Sequence, residues 1–264
     1  MIKEKIGFIG FGKMAEALAL GFVSSQLSQR QNIYFTEKNE SRAQTATENF
    51  GFKSVHLKKI INETDIVFIA IKPQGIQNLL PQLKEGPLYV SILAGTPISS
   101  FERAIPNIKL IRIMPNTPVL VGKGMFGLSK NNQVSNDELE QLSGLLKSTG
   151  KVIVTEEKNL DAITGISGSG PAFMYHIAKS IIDVGLKAGL SEKEARLLVS
   201  QTMLGASKMI SKTDKPLTEL IADVRSPNGT THAGLCVLEN SNFDEILQNC
   251  IQSAITRSIE LGRE

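Results

Sequence analysis

The sequence predicts an α/β chain, with a doubly wound parallel sheet first and an all-helical domain after it. Three observations carry this. Short apolar runs alternate with helical patterns through the first half, which implies a parallel sheet covered by helices. The first run ends in a glycine turn that opens a helix. From Leu160 the apolar period becomes helical and stays so. The boundary falls in the charged stretch Glu156-Glu157-Lys158-Asn159, giving domains 1–156 and 157–264.

Ile6-Gly7-Phe8-Ile9 is the first strand, followed by Gly10-Phe11-Gly12-Lys13-Met14-Ala15 and a helix with Leu18, Ala19 and Phe22 on one face. In strand–turn–helix context, G-x-G-x-x-A reads as a dinucleotide fingerprint. Gly10 makes the tight turn, Gly12 lets backbone approach a pyrophosphate, and Ala15 lets helix and strand pack closely. A second strand, Asn32 to Thr36, ends at Glu37, where an acid would hold the adenosine ribose. The first domain is therefore expected to be Rossmann-like.

Asp65 to Ile71 is a strand pattern apolar on both faces, stopping at Lys72-Pro73-Gln74, with a helical stretch to about Leu83. Leu88 to Ile92 ends at Ala94-Gly95-Thr96-Pro97, and Ile108 to Ile113 ends at Met114-Pro115-Asn116-Thr117-Pro118. Taken singly these are strand-ending turns. Gathered at the carboxyl edge of one sheet they point to a cofactor site. Residues 124–129 and 151–154 read as strands around a helix over 136–148.

In the second half, Ser169-Gly170-Pro171 predicts an N-cap with proline just inside a helix that runs to about Gly185, bearing Phe173, Ile177, Ile181 and Ile182. Ser191 to Glu194 is a capping box opening the next helix. The last helix carries Phe243, Ile246, Leu247, Cys250, Ile251, Ala254, Ile255 and Ile259 on one stripe. A stripe so wide must be covered, and a thin helical core predicts a homodimer through these helices, able to build a higher homo-oligomer. Between helices, Val224 to Glu239 breaks the pattern. Pro227-Asn228-Gly229 forces a turn, and Thr230-Thr231 opens a new helix whose free N–H groups suit an anion. Alone, this segment is an ordinary helix corner.

Composition narrows the function classes. The chain is 41% hydrophobic and 21% charged with net charge +3, and its longest basic run is Lys58-Lys59, so nothing resembles a nucleic-acid stripe. Its longest wholly apolar run, Ile66 to Ile71, is too short to span a bilayer, and no signal-peptide pattern opens the chain. Cys236 and Cys250 lie in apolar helical patterns with no metal spacing, so buried free thiols and a reducing cytoplasm are expected, with no metal. His56, His176 and His232 are scattered, and none earns an acid–base role by position.

Six stretches together resemble pyrroline-5-carboxylate reductase. They are Phe8 to Met14, Ala70 to Gln74, Ser91 to Gly95, Arg112 to Pro118, Thr164 to Phe173, and Val224 to Glu239. The resemblance implies reduction of a cyclic imine, 1-pyrroline-5-carboxylate, to proline by hydride from NADPH or NADH, the last step of proline synthesis. It implies that backbone N–H groups at Gly229, Thr230 and Thr231, with Ser226 and Asn228, bind the substrate carboxylate, and that the Thr231 hydroxyl meets the imine nitrogen. It also implies cofactor contacts at Gly10, Phe11, Gly12, Lys13, Met14, Glu37, Ala70, Lys72, Pro73, Ala94 and Asn116.

Departures from the family pattern are Asn228, where glycine is usual, and Arg225, where Ser or Thr is usual. Asn tolerates positive φ, so the turn can survive; Arg225 can face solvent or add charge near the carboxylate. NADPH-preferring members tend to carry a small polar residue at Glu37, yet Lys38, Asn39 and Arg42 follow and could hold a 2′-phosphate. Two rival readings differ. A 3-hydroxyacid dehydrogenase-like enzyme needs a lysine base, with Lys179 and Lys187 as candidates by position. A non-catalytic dinucleotide-binding protein needs a damaged substrate loop.

Overall fold

A computed structural model describes residues 3–262. Strand β1 (Ile6–Ile9) is buried at every position, because helices cover both faces of its sheet. Helix α1 (Lys13–Ser24) returns across one face and buries Ala15, Leu18, Ala19 and Phe22. β2 (Ile33–Thr36) pairs parallel with β1, placing Thr36 opposite Ile9. α2 (Glu40–Phe50) starts at Asn39, whose Oδ1 accepts the Arg42 N–H at 3.0 Å. The short edge strand β3 (Lys53–Ser54) and α3 (Leu57–Glu63) follow. β4 (Ile66–Ile69) then pairs on the other side of β1.

The helix expected up to Leu83 is broken. A 3-10 turn (Pro73–Gly75), α4 (Ile76–Leu79) and a second 3-10 turn (Leu80–Gln82) take its place. Pro81 lacks an N–H and crowds the turn before it, so no longer helix forms. β5 (Leu88–Ser91), α5 (Ile98–Ala104) and β6 (Lys109–Met114) extend the sheet.

β7 (Gly124–Lys130) runs antiparallel to β6, so the sheet is mixed rather than wholly parallel. The connection, residues 115–123, is too short for a crossover helix. α6 (Asn136–Lys147) and β8 (Gly150–Val154) complete the order β3-β2-β1-β4-β5-β6-β7-β8. The chain winds outward from β1 to β3, then returns to β4. The β1/β4 junction is thus the switch point where such sheets bind ligands.

After β8 come α7 (Leu160–Ile163), a π turn (Thr164–Gly168) and α8 (Gly170–Lys187). Ser169 is not the expected N-cap: its backbone is helical (φ −83°, ψ −24°) and its N–H bonds the Thr164 carbonyl at 2.8 Å. The π turn carries the helix past Pro171 instead of ending it. Then follow α9 (Glu192–Lys212), α10 (Leu217–Val224), α11 (Thr230–Asn240) and α12 (Phe243–Leu261). The Ser191/Glu194 capping box forms as expected.

Two compact units result. One runs to Pro171 and resumes at Ser253; the other is Ala172–Gln252. The first holds the sheet and two apolar clusters, one led by Phe8, Phe22, Phe35, Phe68 and Phe126, the other by Tyr89, Phe101 and Ile108. Arg112 of β6 is 5% exposed; its Nη1 lies 3.0 Å from Glu157 Oε1, which also accepts the Ile98 N–H at 2.8 Å. Gly95 (φ 69°) packs against the end of α12, where a Cβ would stand 2.7 Å from the Leu261 carbonyl carbon.

The helical unit differs. Among the described residues, Ala195 and Val199 are its only buried apolar side chains. Ile181, Val184, Leu197, Leu204 and Val237 are exposed. No helix among the described residues is long and apolar enough to cross a membrane.

Candidate active site

The glycine loop is fixed from both sides. The Gly10 N–H donates to the Thr36 carbonyl at 2.9 Å, and the Ala70 N–H donates to the Ile9 carbonyl at 2.8 Å. Gly10 sits at φ 86°, and a Cβ there would lie 2.7 Å from the Ala70 oxygen, so only glycine fits between these two strand ends. Gly12 is different: it has an ordinary φ, and nothing lies within 4 Å of where a Cβ would go. The chain's own packing does not need this glycine. What it leaves is open space against the N-terminus of α1, where Gly12 contributes no side-chain cap. That arrangement fits a dinucleotide pyrophosphate.

Phe11 buries its ring against Phe8, Phe35 and Phe52, which leaves only its backbone for the loop's outer surface. Its N–H donates to Glu37 Oε2 at 3.0 Å, while Glu37 Oε1 accepts the Asn39 N–H at 3.0 Å. The acid at the end of β2 thus braces the fingerprint loop. Lys13 is exposed and Met14 half-buried on the first turn of α1. Ala70 and Ala94 are half-buried just past β4 and β5. Lys72 is exposed at the N-cap of the 3-10 turn that Pro73 opens.

Asn116, beyond β6, is committed to internal bonds. Its Oδ1 accepts the Met125 N–H at 2.9 Å, and its Nδ2 is 3.2 Å from both the carbonyl and hydroxyl oxygens of Ser167. Sequence reasoning missed Ser167 as its partner, because 51 residues separate the two.

The turn in the helical unit is built from four residues. Asn228 takes the left-handed conformation (φ 58°), and the Gly229 N–H donates to the Ser226 carbonyl at 3.1 Å. Any side chain on Gly229 would collide with the Ser226 hydroxyl. Helix α11 starts with Gly229 as an N-cap that has no side chain to give. Its first intrahelical bond runs from the Ala233 N–H to the Gly229 carbonyl. The result is a helix N-terminus whose Thr230, Thr231 and His232 N–H groups lie outside the ladder.

Arg225 stays partly open to solvent, its side chain 30% exposed, and its polar partners lie along the helix rather than at those N–H groups. It folds along α11: Nη1 and Nη2 lie 2.8 and 3.3 Å from the two Glu239 oxygens, and Nε donates to His232 Nδ1 at 3.1 Å. The Glu239 carboxylate holds the guanidinium above its ordinary pKa. Accepting at Nδ1 assigns the ring proton to Nε2, 3.7 Å from Cys236 Sγ. Sequence reading did not find these partners, although His232, Cys236 and Glu239 are spaced i, i+4, i+7 on one helix face. Lys179, a candidate base for a hydroxyacid enzyme, is paired with Asp183 at 2.6 Å. Among the described residues no His, Cys, Asp and Glu cluster could hold a metal.

Comparison with known proteins matches residues 157–261 to the family described as pyrroline-5-carboxylate reductase dimerisation. Residues 5–95 match the family described as NADP oxidoreductase coenzyme F420-dependent. The chain is 38% identical to pyrroline-5-carboxylate reductase of Glycine max over 97% of this chain and 96% of that protein. It is 34% identical to pyrroline-5-carboxylate reductase 2 of Bacillus subtilis over 99% of this chain and 96% of that one. The solved structure of Plasmodium falciparum pyrroline carboxylate reductase with NADP bound superposes with a TM-score of 0.92, at 31% identity and 99% coverage of both chains. Similarity at these levels over nearly the whole length, with the glycine loop and the Thr230-Thr231 helix start in place, makes this chain a member of the pyrroline-5-carboxylate reductase family.

Proposed function

We propose that the chain reduces 1-pyrroline-5-carboxylate to L-proline with NADPH or NADH. The observation that carries the reading is the nest at the start of α11, where unladdered N–H groups and the Thr231 hydroxyl adjoin one left-handed turn. The N–H groups of Thr230 and Thr231, with the Ser226 hydroxyl, take the substrate carboxylate, aided by the positive end of the helix; the Gly229 N–H is held by the Ser226 carbonyl and closes the turn instead. The Thr231 hydroxyl hydrogen-bonds the ring nitrogen. A hydroxyl suits both protonation states, because it donates to the imine and accepts from the iminium. Gly10, Gly12 and the first turn of α1 hold the dinucleotide, whose reduced nicotinamide supplies the hydride when bound. Ala70, Lys72, Pro73, Ala94 and Asn116 shape the loops beside it.

This chemistry asks little of acids and bases. A C=N bond is readily protonated, so the protein's task is to fix the ring and its carboxylate. The bare apolar faces of the helical unit and the dimerisation family matched over residues 157–261 support a homodimer through the C-terminal helices. Two free cysteines support a reducing, cytoplasmic setting. The test is an absorbance assay with 1-pyrroline-5-carboxylate and each reduced cofactor. Oxidation of at least one is expected; no turnover with either would overturn the reading.

A further inference from the structure

We propose that Glu37, which already braces the glycine loop, makes this chain select NADH over NADPH. The inference rests on the reading that the dinucleotide lies on this loop.

The Glu37 carboxylate spans two backbone donors, the Phe11 N–H inside the fingerprint and the Asn39 N–H at the start of α2, both at 3.0 Å. In doublewound folds the acid at this place faces the adenosine ribose. A carboxylate only accepts. A ribose 2′-hydroxyl, which can donate, satisfies it without disturbing either amide bond. A 2′-phosphate has no proton of use to it and carries like charge, so it is repelled.

The phosphate would also compete for the same two N–H groups, which Glu37 occupies as a built-in anion. To admit it, Glu37 must leave both amides and swing out. Lys38 and Arg42, both exposed, would then have to repay the lost bonds. Neither is needed for the hydroxyl form. One side chain therefore serves two ends: it orders the loop and sets the ligand that the loop accepts.

Calorimetric titration of the full chain with NADH and NADPH tests this without turnover, and suits a protein that contains no tryptophan. The wild type should bind NADH at least about ten-fold more tightly than NADPH, the effect of one unfavourable charge contact. Glu37→Gln keeps an acceptor for the Phe11 N–H but removes the charge, and Glu37→Ser removes both. Each should bring the ratio to about one or below, mainly by tightening NADPH. A wild type that binds NADPH as well as NADH overturns the proposal, as does a preference that survives both substitutions. Should the variants fail to fold, the wild-type ratio still decides. Failure of the reductase reading looks different: no turnover of the imine, whatever preference calorimetry reports.

Discussion

Asn116 satisfies Ser167 from across the sheet unit, with its Nδ2 3.2 Å from the Ser167 carbonyl. The carbonyl lies four residues before Pro171, which has no N–H to offer it. The strand-end asparagine thus supplies the proton that the proline withholds, and ties the Met-Pro-Asn-Thr-Pro loop to the π turn. Asn116→Ala should lower stability by about 1–2 kcal/mol in urea unfolding, since it orphans the partly buried Ser167 carbonyl and the Met125 N–H. Full stability of that variant would show that another group serves Ser167.

Thr231 is expected to act through its hydroxyl alone. Thr231→Ala should reduce kcat/KM by a factor equivalent to about 1–3 kcal/mol, while Thr231→Ser retains most of it. Steady-state kinetics with saturating cofactor makes the comparison. An unchanged Ala variant would remove Thr231 from the mechanism.

Arg225 steadies the loop that precedes the nest by gripping Glu239 and His232. The pair with Glu239 is half exposed, so its worth is modest. Arg225→Ala should raise KM for the imino acid by roughly 2–5-fold with little change in kcat, the modest effect of a solvent-screened pair. Glu239→Gln should act in the same direction and add little on top of the arginine change, because the two share one interaction. Additive losses would separate them.

Asn228 occupies a left-handed position, φ 58°, that glycine would adopt without strain. Asn228→Gly should fold normally and support turnover. Asn228→Ala should cost about 1–2 kcal/mol, the penalty of a Cβ at positive φ. Thermal unfolding of the three proteins gives the order Gly and Asn above Ala; a neutral Ala would mean the loop relaxes to another turn.

Glu157 is the partner of a buried cation. Glu157→Ala leaves Arg112, 5% exposed, with only the Asp161 carboxylate 4.0 Å away, and frees the Ile98 N–H, so stability should fall by about 1–3 kcal/mol. Adding Arg112→Met should recover much of that loss. A double variant no better than the single would place the cost in the Ile98 cap instead.

What could be read from the chain was local. Gly10, Gly12 and Glu37 were legible because strand, turn and helix follow one another within thirty residues. Asn228 was legible because few residues accept its conformation. Ser169 misled, since Ser-Gly-Pro reads as a helix start until Asn116, distant in sequence, is seen to bond the π turn before it. The reversal of β7 follows from a connection too short to cross over, a length that apolar periodicity does not weigh. The apolar stripes of the late helices were plain in the sequence, but a stripe does not say what covers it.

The close fit of Gly95 against Leu261 bears on how the chain is made. The sheet unit is interrupted: its last part, from Ser253, is synthesised only after the whole helical unit from Ala172. During translation the Ala94–Gly95 loop must wait, uncovered, until that final stretch emerges from the ribosome. Early folding of the sheet is thereby provisional, and it is completed only after the helical unit has been made.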